Sequence, residues 1–574
     1  MVSSLTIRIG GEGGEGVIST GELLTLAYAR TRHDVYTFRT YPAEIKGGPA
    51  MFQVRCGDHP VLSQGTLIDI FLAFNDEAIQ LHLKDLAPEG VLIFDSAAMA
   101  DPADKLKEGQ SAYPAPLTTI AVEGVGLKRA KNMVGLAVLG ALTGLPIEAV
   151  RAFVQDKFGR KGQDVLEKNL KAVEEGYKWV LKHALDRDLT VASSIRKEQK
   201  VVMSGNEAIG AGAILAGCRY YAGYPITPAS DILSLMETEL PKFGGVAIQT
   251  EDEISALISC IGASYSGVKA MTATSGPGFS LMVEALGLSS MTETPVVIVD
   301  AQRAGPSTGM PTKTEQSDLL HAVFSGHGEA PRVVLAPCNV KDCFYGIVKA
   351  FNIAEKYQIP VIMLSDQSLS HRTQTFTKPK YSNLAIANRL RPTRNGPYRR
   401  YVDTENGVSP MALPGDEGFT YAATGLEHDE TGAPNFTPAM HYRMTSKRHR
   451  KLQYISKEKG FTRRFGDEHA ELGILSWGCT EGPIEEAIEE ANRQGYEVAA
   501  LQLKMIHPLP DEEIQSFLSS VKKVMVPELN YTGQLWQLLQ ARYLKPMIRF
   551  NKCAGVPFTA GEIFKKIEEV YRHA

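Results

Sequence analysis

No two cysteines in this 574-residue chain form a Cys-x-x-Cys pair. The seven thiols are Cys56, Cys218, Cys260, Cys338, Cys343, Cys479 and Cys553, and the nearest two, Cys338 and Cys343, have no third ligand close by. An iron–sulfur cluster held by this chain alone is therefore not expected, nor is a disulfide framework. No apolar run approaches the ~20 residues that span a bilayer, so no membrane partner is expected. The first residues, Met1 to Ile9, lack the basic segment and apolar core of a signal peptide, which makes a cytoplasmic location the expectation. The net charge of −4 gives no overall electrostatic reason to bind nucleic acid. No fixed-period repeat indicates a solenoid.

What is present is an ordinary soluble composition, 44% hydrophobic and 22% charged. A chain this long predicts roughly three to four domains. Residues 5–9 read as a strand, followed by a glycine loop and an amphipathic helix to about Arg30. Further strands at 34–39, 68–73 and 91–95 alternate with helical segments and predict a parallel α/β sheet. A charged helical stretch, 164–186, closes a first domain over 1–188. A short linker leads to a second alternating region, 198–380, with buried strands at 268–272, 295–300 and 360–364. The segment 381–466, rich in Pro, Gly, Arg and Tyr, reads as an irregular linker or interface. Its basic runs Arg399-Arg400 and Lys447 to Lys451 read as a solvated or partner-contacting loop in preference to a phosphate patch. A third unit, 469–574, opens with the strand Leu472 to Ser476 and the helix Pro483 to Ala491. The fold class is thus α/β and multidomain, with three α/β modules.

The first glycine loop, Gly11-Glu12-Gly13-Gly14-Glu15-Gly16, fits G-x-G-x-x-G between a strand and a helix, where backbone amides can cradle phosphate. No Gly-Lys-Ser/Thr follows, which excludes a Walker loop. A dinucleotide site wants an acid at the end of the second strand, yet Arg39 stands there. Arg39 suits a ligand carrying an additional phosphate; a tight turn without ligand is the equal alternative. The turn-rich loop Tyr41 to Pro49, with Lys46, either approaches the same crevice or simply bends the chain between strands.

Three short strings in the second region carry more. Tyr224-Pro225-Ile226-Thr227-Pro228 comes first, then Glu253 within Gln-Thr-Glu-Asp-Glu, then Thr274-Ser275-Gly276-Pro277-Gly278. Singly each is bland. Thr250-Glu251-Asp252-Glu253 matches a capping box, the 274–278 string begins a helix, and Thr227 is a rigid turn residue. A thiamine diphosphate enzyme needs a carboxylic acid beside the aminopyrimidine, and Glu253 suits that task, with Glu251 the weaker candidate.

Together with Gln302-Arg303, these strings resemble the 2-oxoacid:ferredoxin oxidoreductase family, over nearly the whole chain. The resemblance implies a γ-type, Rossmann-like first domain, a thiamine-diphosphate pyrimidine-binding second domain and a transketolase C-terminal-like third, in the fused γ–α order. It implies that Glu253 activates the cofactor and that Thr227 and Arg303 hold the 2-oxoacid carboxylate and carbonyl, as a guanidinium fork is suited to do. Pro225, Ile226, Thr274 and Ser275 would line the cofactor. Coenzyme A, associated with the γ module, would give Gly11, Gly13, Gly14, Gly16, Arg39 and Lys46 an anionic ligand. The Gly-Asp-Gly string that usually holds the diphosphate's Mg²⁺ does not occur. Mg²⁺ and a [4Fe-4S] cluster are then expected on a separate β subunit, in an (αβ)₂ heterotetramer that passes electrons to ferredoxin. The implied reaction turns a 2-oxoacid, 2-oxoglutarate favoured over pyruvate or a broad range, into acyl-CoA and CO₂, with reverse carboxylation open. Readings from other classes are a nicotinamide-dependent oxidoreductase, opposed by Arg39, and a non-catalytic subunit, opposed by the intact Thr227, Glu253 and Arg303.

Overall fold

The structure is a computed structural model that describes residues 2–42, 47–192, 198–393 and 397–572. Three sheets organise it, and the chain divides into two compact units. The first comprises residues 1–203, 372–379 and 559–565, and the second the remainder.

The eight-stranded sheet of the first unit runs in the order Ser111–Ala115, Leu86–Asp95, Ile68–Ala73, Ser4–Glu12, Pro49–Gly57, Asp34–Thr40, Thr373–Thr377, Lys200–Ser204. Its core is built by strand alternation, Leu5, Ile7 and Ile9 packing with Phe52, Val54, Ile70 and Leu72. The expected parallel arrangement holds for the first four strands, but Pro49–Gly57 runs antiparallel to both of its neighbours. The reason is the short connection over 41–48, too short for a crossover helix, which leaves a hairpin as the only closure.

The second unit holds two sheets. The seven-stranded one is ordered Met505–His507, Val333–Leu335, Pro360–Asp366, Val296–Gln302, Ala270–Thr274, Tyr220–Gly223, Val246–Gln249, and all but the first strand are parallel. Its central strands are buried along their whole length, as parallel strands covered on both faces must be. The edge strand Val246–Gln249 is mostly exposed. The five-stranded sheet is ordered Thr462–Gly466, Val498–Leu503, Leu472–Trp477, Lys523–Glu528, Ile548–Asn551.

The 381–466 segment is not irregular throughout: Pro438–Ile455 is an 18-residue helix and Thr462–Gly466 an edge strand. The basic run 447–451 is no solvated loop either. Lys447 and Lys451 are buried and both reach the buried Glu293 at 2.6 Å, while Arg448 pairs with Glu427 at 2.9 Å. The inward face of this helix is made of cations with Met444 and Ile455, so no apolar periodicity announced it.

Candidate active site

Four strand ends carry the site. Val296–Gln302, Ala270–Thr274, Tyr220–Gly223 and Val246–Gln249 are adjacent and parallel, and their carboxyl ends lead directly into Arg303, Ser275, Tyr224 and the turn before Glu253. Open parallel sheets place ligands in this position, outside the carboxyl ends of the strands.

Glu253 is the first residue of helix Glu253–Tyr265 and is 5% exposed. It does not cap that helix. Asp252 does, its Oδ1 accepting the Ser255 amide at 2.8 Å, while the Thr250 hydroxyl donates to the Asp252 carbonyl at 2.9 Å. The expected capping box fails because the cap is Asp252, two residues nearer the helix than Thr250, which leaves the Glu253 carboxyl with no capping task. Glu251 is exposed. The Glu253 carboxyl instead faces the 274–278 string: a Cβ on Gly278 would stand 2.2 Å from Glu253 Oε1 and 2.1 Å from Thr274 Oγ1. Only glycine admits that approach. Ser275 occupies the N-cap of helix Gly276–Thr292, yet its buried hydroxyl caps nothing and has no hydrogen-bond partner among the described residues.

Arg303, 7% exposed, donates from Nη1 to the Thr227 carbonyl at 2.8 Å, so the two expected substrate residues do meet. Its Nε is buried without a partner among the described residues. Burial pulls this guanidinium below its ordinary value, and the charge of Asp318 acts in the opposite sense. Pro225 is exposed, and Ile226 and Thr227 are half-buried at the mouth. Sequence reasoning missed what supports them. The fully buried Asn206 donates to the Pro228 carbonyl at 2.8 Å, holding the Tyr224–Pro228 turn in place. Gln316 ties the loop after Arg303 to the five-stranded sheet, accepting from Leu529 N at 3.0 Å and donating to Trp477 O at 2.9 Å. Neither residue lies in a recognisable string, and only the three-dimensional arrangement gives it a task.

The first glycine loop, in the other unit, also acquires a geometry. Gly14 and Gly16 take φ of 106° and 91°, the left-handed region that favours glycine, and Gly16 leads into helix Val17–Arg30 with no side-chain cap. Gly11 still belongs to the first strand. Gly13 donates to Gly48 O at 2.9 Å and accepts from Gly47 N at 3.4 Å, so Gly47 and Gly48 approach the loop. Two more amides of the loop are taken: Glu12 N bonds the Glu15 carboxylate at 2.8 Å, which also accepts from Asn75, and Glu15 N bonds the Glu12 carbonyl at 3.1 Å. Arg39 pairs with Glu22 at 3.3 Å. Lys46 lies outside the described residues.

Around Glu253 the surface is apolar and exposed. Ile254 and Ile258 project from its helix, Val246 and Ile248 from the edge strand, and Tyr224 and Leu281 beside them. Contiguous exposed apolar patches of this kind mark interaction surfaces or ligand-binding grooves.

Three family models match in chain order: "Pyruvate ferredoxin/flavodoxin oxidoreductase" over residues 6–179, the thiamine-diphosphate-binding part of the same enzymes over 211–447, and "Pyruvate:ferredoxin oxidoreductase core domain II" over 470–563. The 2-oxoglutarate oxidoreductase subunit KorA of Mycobacterium tuberculosis is 34% identical over 98% of this chain and 91% of its own length. The alpha subunit of 2-oxoacid:ferredoxin oxidoreductase 2 of Aeropyrum pernix is 31% identical over 99% of this chain and 97% of its own. The solved structure of 2-oxoglutarate:ferredoxin oxidoreductase from Magnetococcus marinus, with 2-oxoglutarate, coenzyme A and succinyl-CoA bound, is 43% identical. It superposes with a TM-score of 0.95 over 99% of this chain and all of that one. With the strand-end constellation in place and likeness running end to end, this chain belongs to the 2-oxoacid:ferredoxin oxidoreductase family, among its alpha subunits.

Proposed function

We propose that this chain is the pyrimidine-activating half of a thiamine-diphosphate-dependent 2-oxoacid:ferredoxin oxidoreductase, completed by a β subunit. The observation that carries the reading is the buried Glu253 carboxyl, free of capping duty and pressed against Gly278 beside the Arg303–Thr227 pair. 2-Oxoglutarate is the favoured substrate, because related subunits from Mycobacterium tuberculosis and Methanocaldococcus jannaschii bear its name and the Magnetococcus marinus enzyme binds it. Pyruvate is the alternative.

The residues present fit the cofactor. Gly278 leaves the Glu253 carboxyl uncovered, and the unpaired Ser275 hydroxyl and the uncapped first turn of helix Gly276–Thr292 offer further polar groups. When bound, thiamine diphosphate supplies the carbon nucleophile and the electron sink for decarboxylation. Glu253 holds a proton at N1′ of the aminopyrimidine, a charge-assisted bond strengthened by the exclusion of water. Arg303, anchored on the Thr227 carbonyl through Nη1, keeps Nε and the rest of its fork for the substrate carboxylate. In sum, 2-oxoglutarate, coenzyme A and two oxidised ferredoxins give succinyl-CoA, CO₂, a proton and two reduced ferredoxins; a strongly reducing ferredoxin drives the reverse.

The β subunit is assigned the Mg²⁺–diphosphate contacts and the [4Fe-4S] cluster, since the Gly-Asp-Gly string and grouped cysteines are absent from this sequence. The apolar rim around Glu253 is the surface it would cover, in an (αβ)₂ assembly in the cytoplasm. The 11–16 loop is assigned to coenzyme A. The test is co-purification with the adjacent β chain and viologen reduction across several 2-oxoacids. The complex should turn over 2-oxoglutarate and this chain alone should be inactive; turnover by the isolated chain would contradict the split site.

A further inference from the structure

Residues 305–310, on the limb of the loop that leaves Arg303, are exposed, so packing does not fix that limb. The returning limb is different. Lys313 O accepts from Ala304 N at 3.0 Å, and Asp318 N donates to Gln302 Oε1 at 3.0 Å. Both chain neighbours of Arg303 are therefore fastened to the limb 313–318. That limb is held in turn by the five-stranded sheet, which supplies no group to the strand-end constellation.

Two glutamines make the joint. Gln316 is fully buried, and each of its polar atoms is bonded across to the second sheet. Its N donates to Leu529 O at 2.7 Å and its carbonyl accepts from Asn530 Nδ2 at 2.9 Å. Its Oε1 accepts from Leu529 N at 3.0 Å and its Nε2 donates to Trp477 O at 2.9 Å. Trp477 ends strand Leu472–Trp477, and Leu529 directly follows strand Lys523–Glu528. Gly478 takes a φ of 60°, and a Cβ there would stand 2.6 Å from Gln316 Nε2. Gln534 answers from the other side, as the first residue of helix Gln534–Tyr543. Its Nε2 donates to Ser317 O at 2.7 Å, and its Oε1 accepts from Leu320 N at 2.9 Å. Each amide accepts one backbone N–H and donates to one backbone carbonyl, which fixes its orientation. Asn530 is braced as well, donating to Glu528 Oε1 at 3.1 Å and accepting from Gly533 N at 2.7 Å. A buried polar network satisfied in this way is rigid.

We propose that Gln316 and Gln534 are positioning residues for Arg303: by locking the loop that follows it to the strand ends of the five-stranded sheet, they set the affinity for the 2-oxoacid carboxylate. This rests on the reading of Arg303 as the substrate cation, and it gives the third module a task in substrate binding. The physical link is short. Arg303 spends Nη1 on the Thr227 carbonyl at 2.8 Å, so the direction of the rest of its fork follows from where its backbone stands. A fork meets a carboxylate in one planar geometry, and a small displacement loses it. Truncating either glutamine leaves a backbone N–H and a backbone carbonyl unpaired and frees the limb to shift.

The test is KM and kcat for 2-oxoglutarate in the αβ complex carrying Gln316→Ala or Gln534→Ala, each alone and each combined with Arg303→Lys. Either glutamine variant alone should raise KM roughly three- to tenfold, with kcat changed less. On the Arg303→Lys background the same substitution should change KM by less than about twofold, because no fork is left to position. A merely structural role would give the same factor on both backgrounds, and that additivity overturns the proposal. An unchanged KM in both glutamine variants, while Arg303→Lys raises KM, also overturns it and leaves the substrate reading intact. An unchanged KM in Arg303→Lys overturns the substrate reading and this inference with it. Gln534 is half-buried, so its variant carries the test if Gln316→Ala does not assemble. Failure of both to assemble assigns the pair to folding and overturns the proposal.

Discussion

The carboxyl of Glu253 and the backbone of Gly278 lie so close that a Cβ at Gly278 would stand 2.2 Å from Oε1. The acid and the start of the following helix are therefore one sterically matched unit. Gly278→Ala must push the carboxyl away from its position or shift the helix. The expected outcome is an assembled complex with at least ~10²-fold lower kcat, because a displaced acid no longer meets the ring nitrogen. Size-exclusion and viologen reduction on the same sample check it; full activity would show the acid is elsewhere.

The loop that bears Arg303 also bears Lys313, half-buried and without an ion pair among the described residues. Burial lowers this lysine with nothing opposing it, which leaves a desolvated cation ten residues after Arg303, the arginine proposed to hold the substrate. Its backbone carbonyl accepts from Ala304 N at 3.0 Å, fastening it to the first residue after Arg303. A second cation is what the distal carboxylate of 2-oxoglutarate requires. Lys313→Met should raise KM for 2-oxoglutarate about tenfold or more while changing KM for 2-oxobutyrate little. Equal effects on both substrates would remove Lys313 from substrate selection.

Glu293 is buried with a left-handed φ of 50°, where Lys447, Lys451 and Arg400 converge on it. Burial pushes its carboxyl up, but the three cations together outweigh that and hold it well below the carboxylate range. A depressed carboxylate stabilises the fold above its unfolded pKa and loses that stabilisation as pH falls below about 4.5. Glu293→Gln leaves buried cations unpaired and should cost about 3–5 kcal/mol at neutral pH. It should also flatten the acid limb of stability. Thermal unfolding of the variant at neutral and at acidic pH checks both; an unchanged midpoint would mean the cations find other partners.

Much of the fold and of the site is legible in the sequence. Alternation of apolar strands and helices predicts the α/β modules, and the strings at 224–228, 253 and 274–278 name the strand ends that meet. What stayed hidden has physical reasons. The strand Pro49–Gly57 escaped because a hairpin and a crossover look alike over a glycine-rich turn. The helix Pro438–Ile455 escaped because its buried face is lysine and arginine, paired with acids far away in sequence. The cap escaped because Asp252 and Thr250 are both good caps, and only the chain's path decides between them.

Glu253 is the residue proposed to activate a cofactor shared with a β subunit. The most direct measurement is 2-oxoglutarate-dependent viologen reduction by the co-purified complex carrying Glu253→Gln, beside unaltered complex of equal cofactor and iron content. The isosteric amide cannot hold the proton at the pyrimidine nitrogen, so kcat should fall by about 10²–10⁴-fold with assembly unchanged. Activity within about twofold of the unaltered complex would contradict the account.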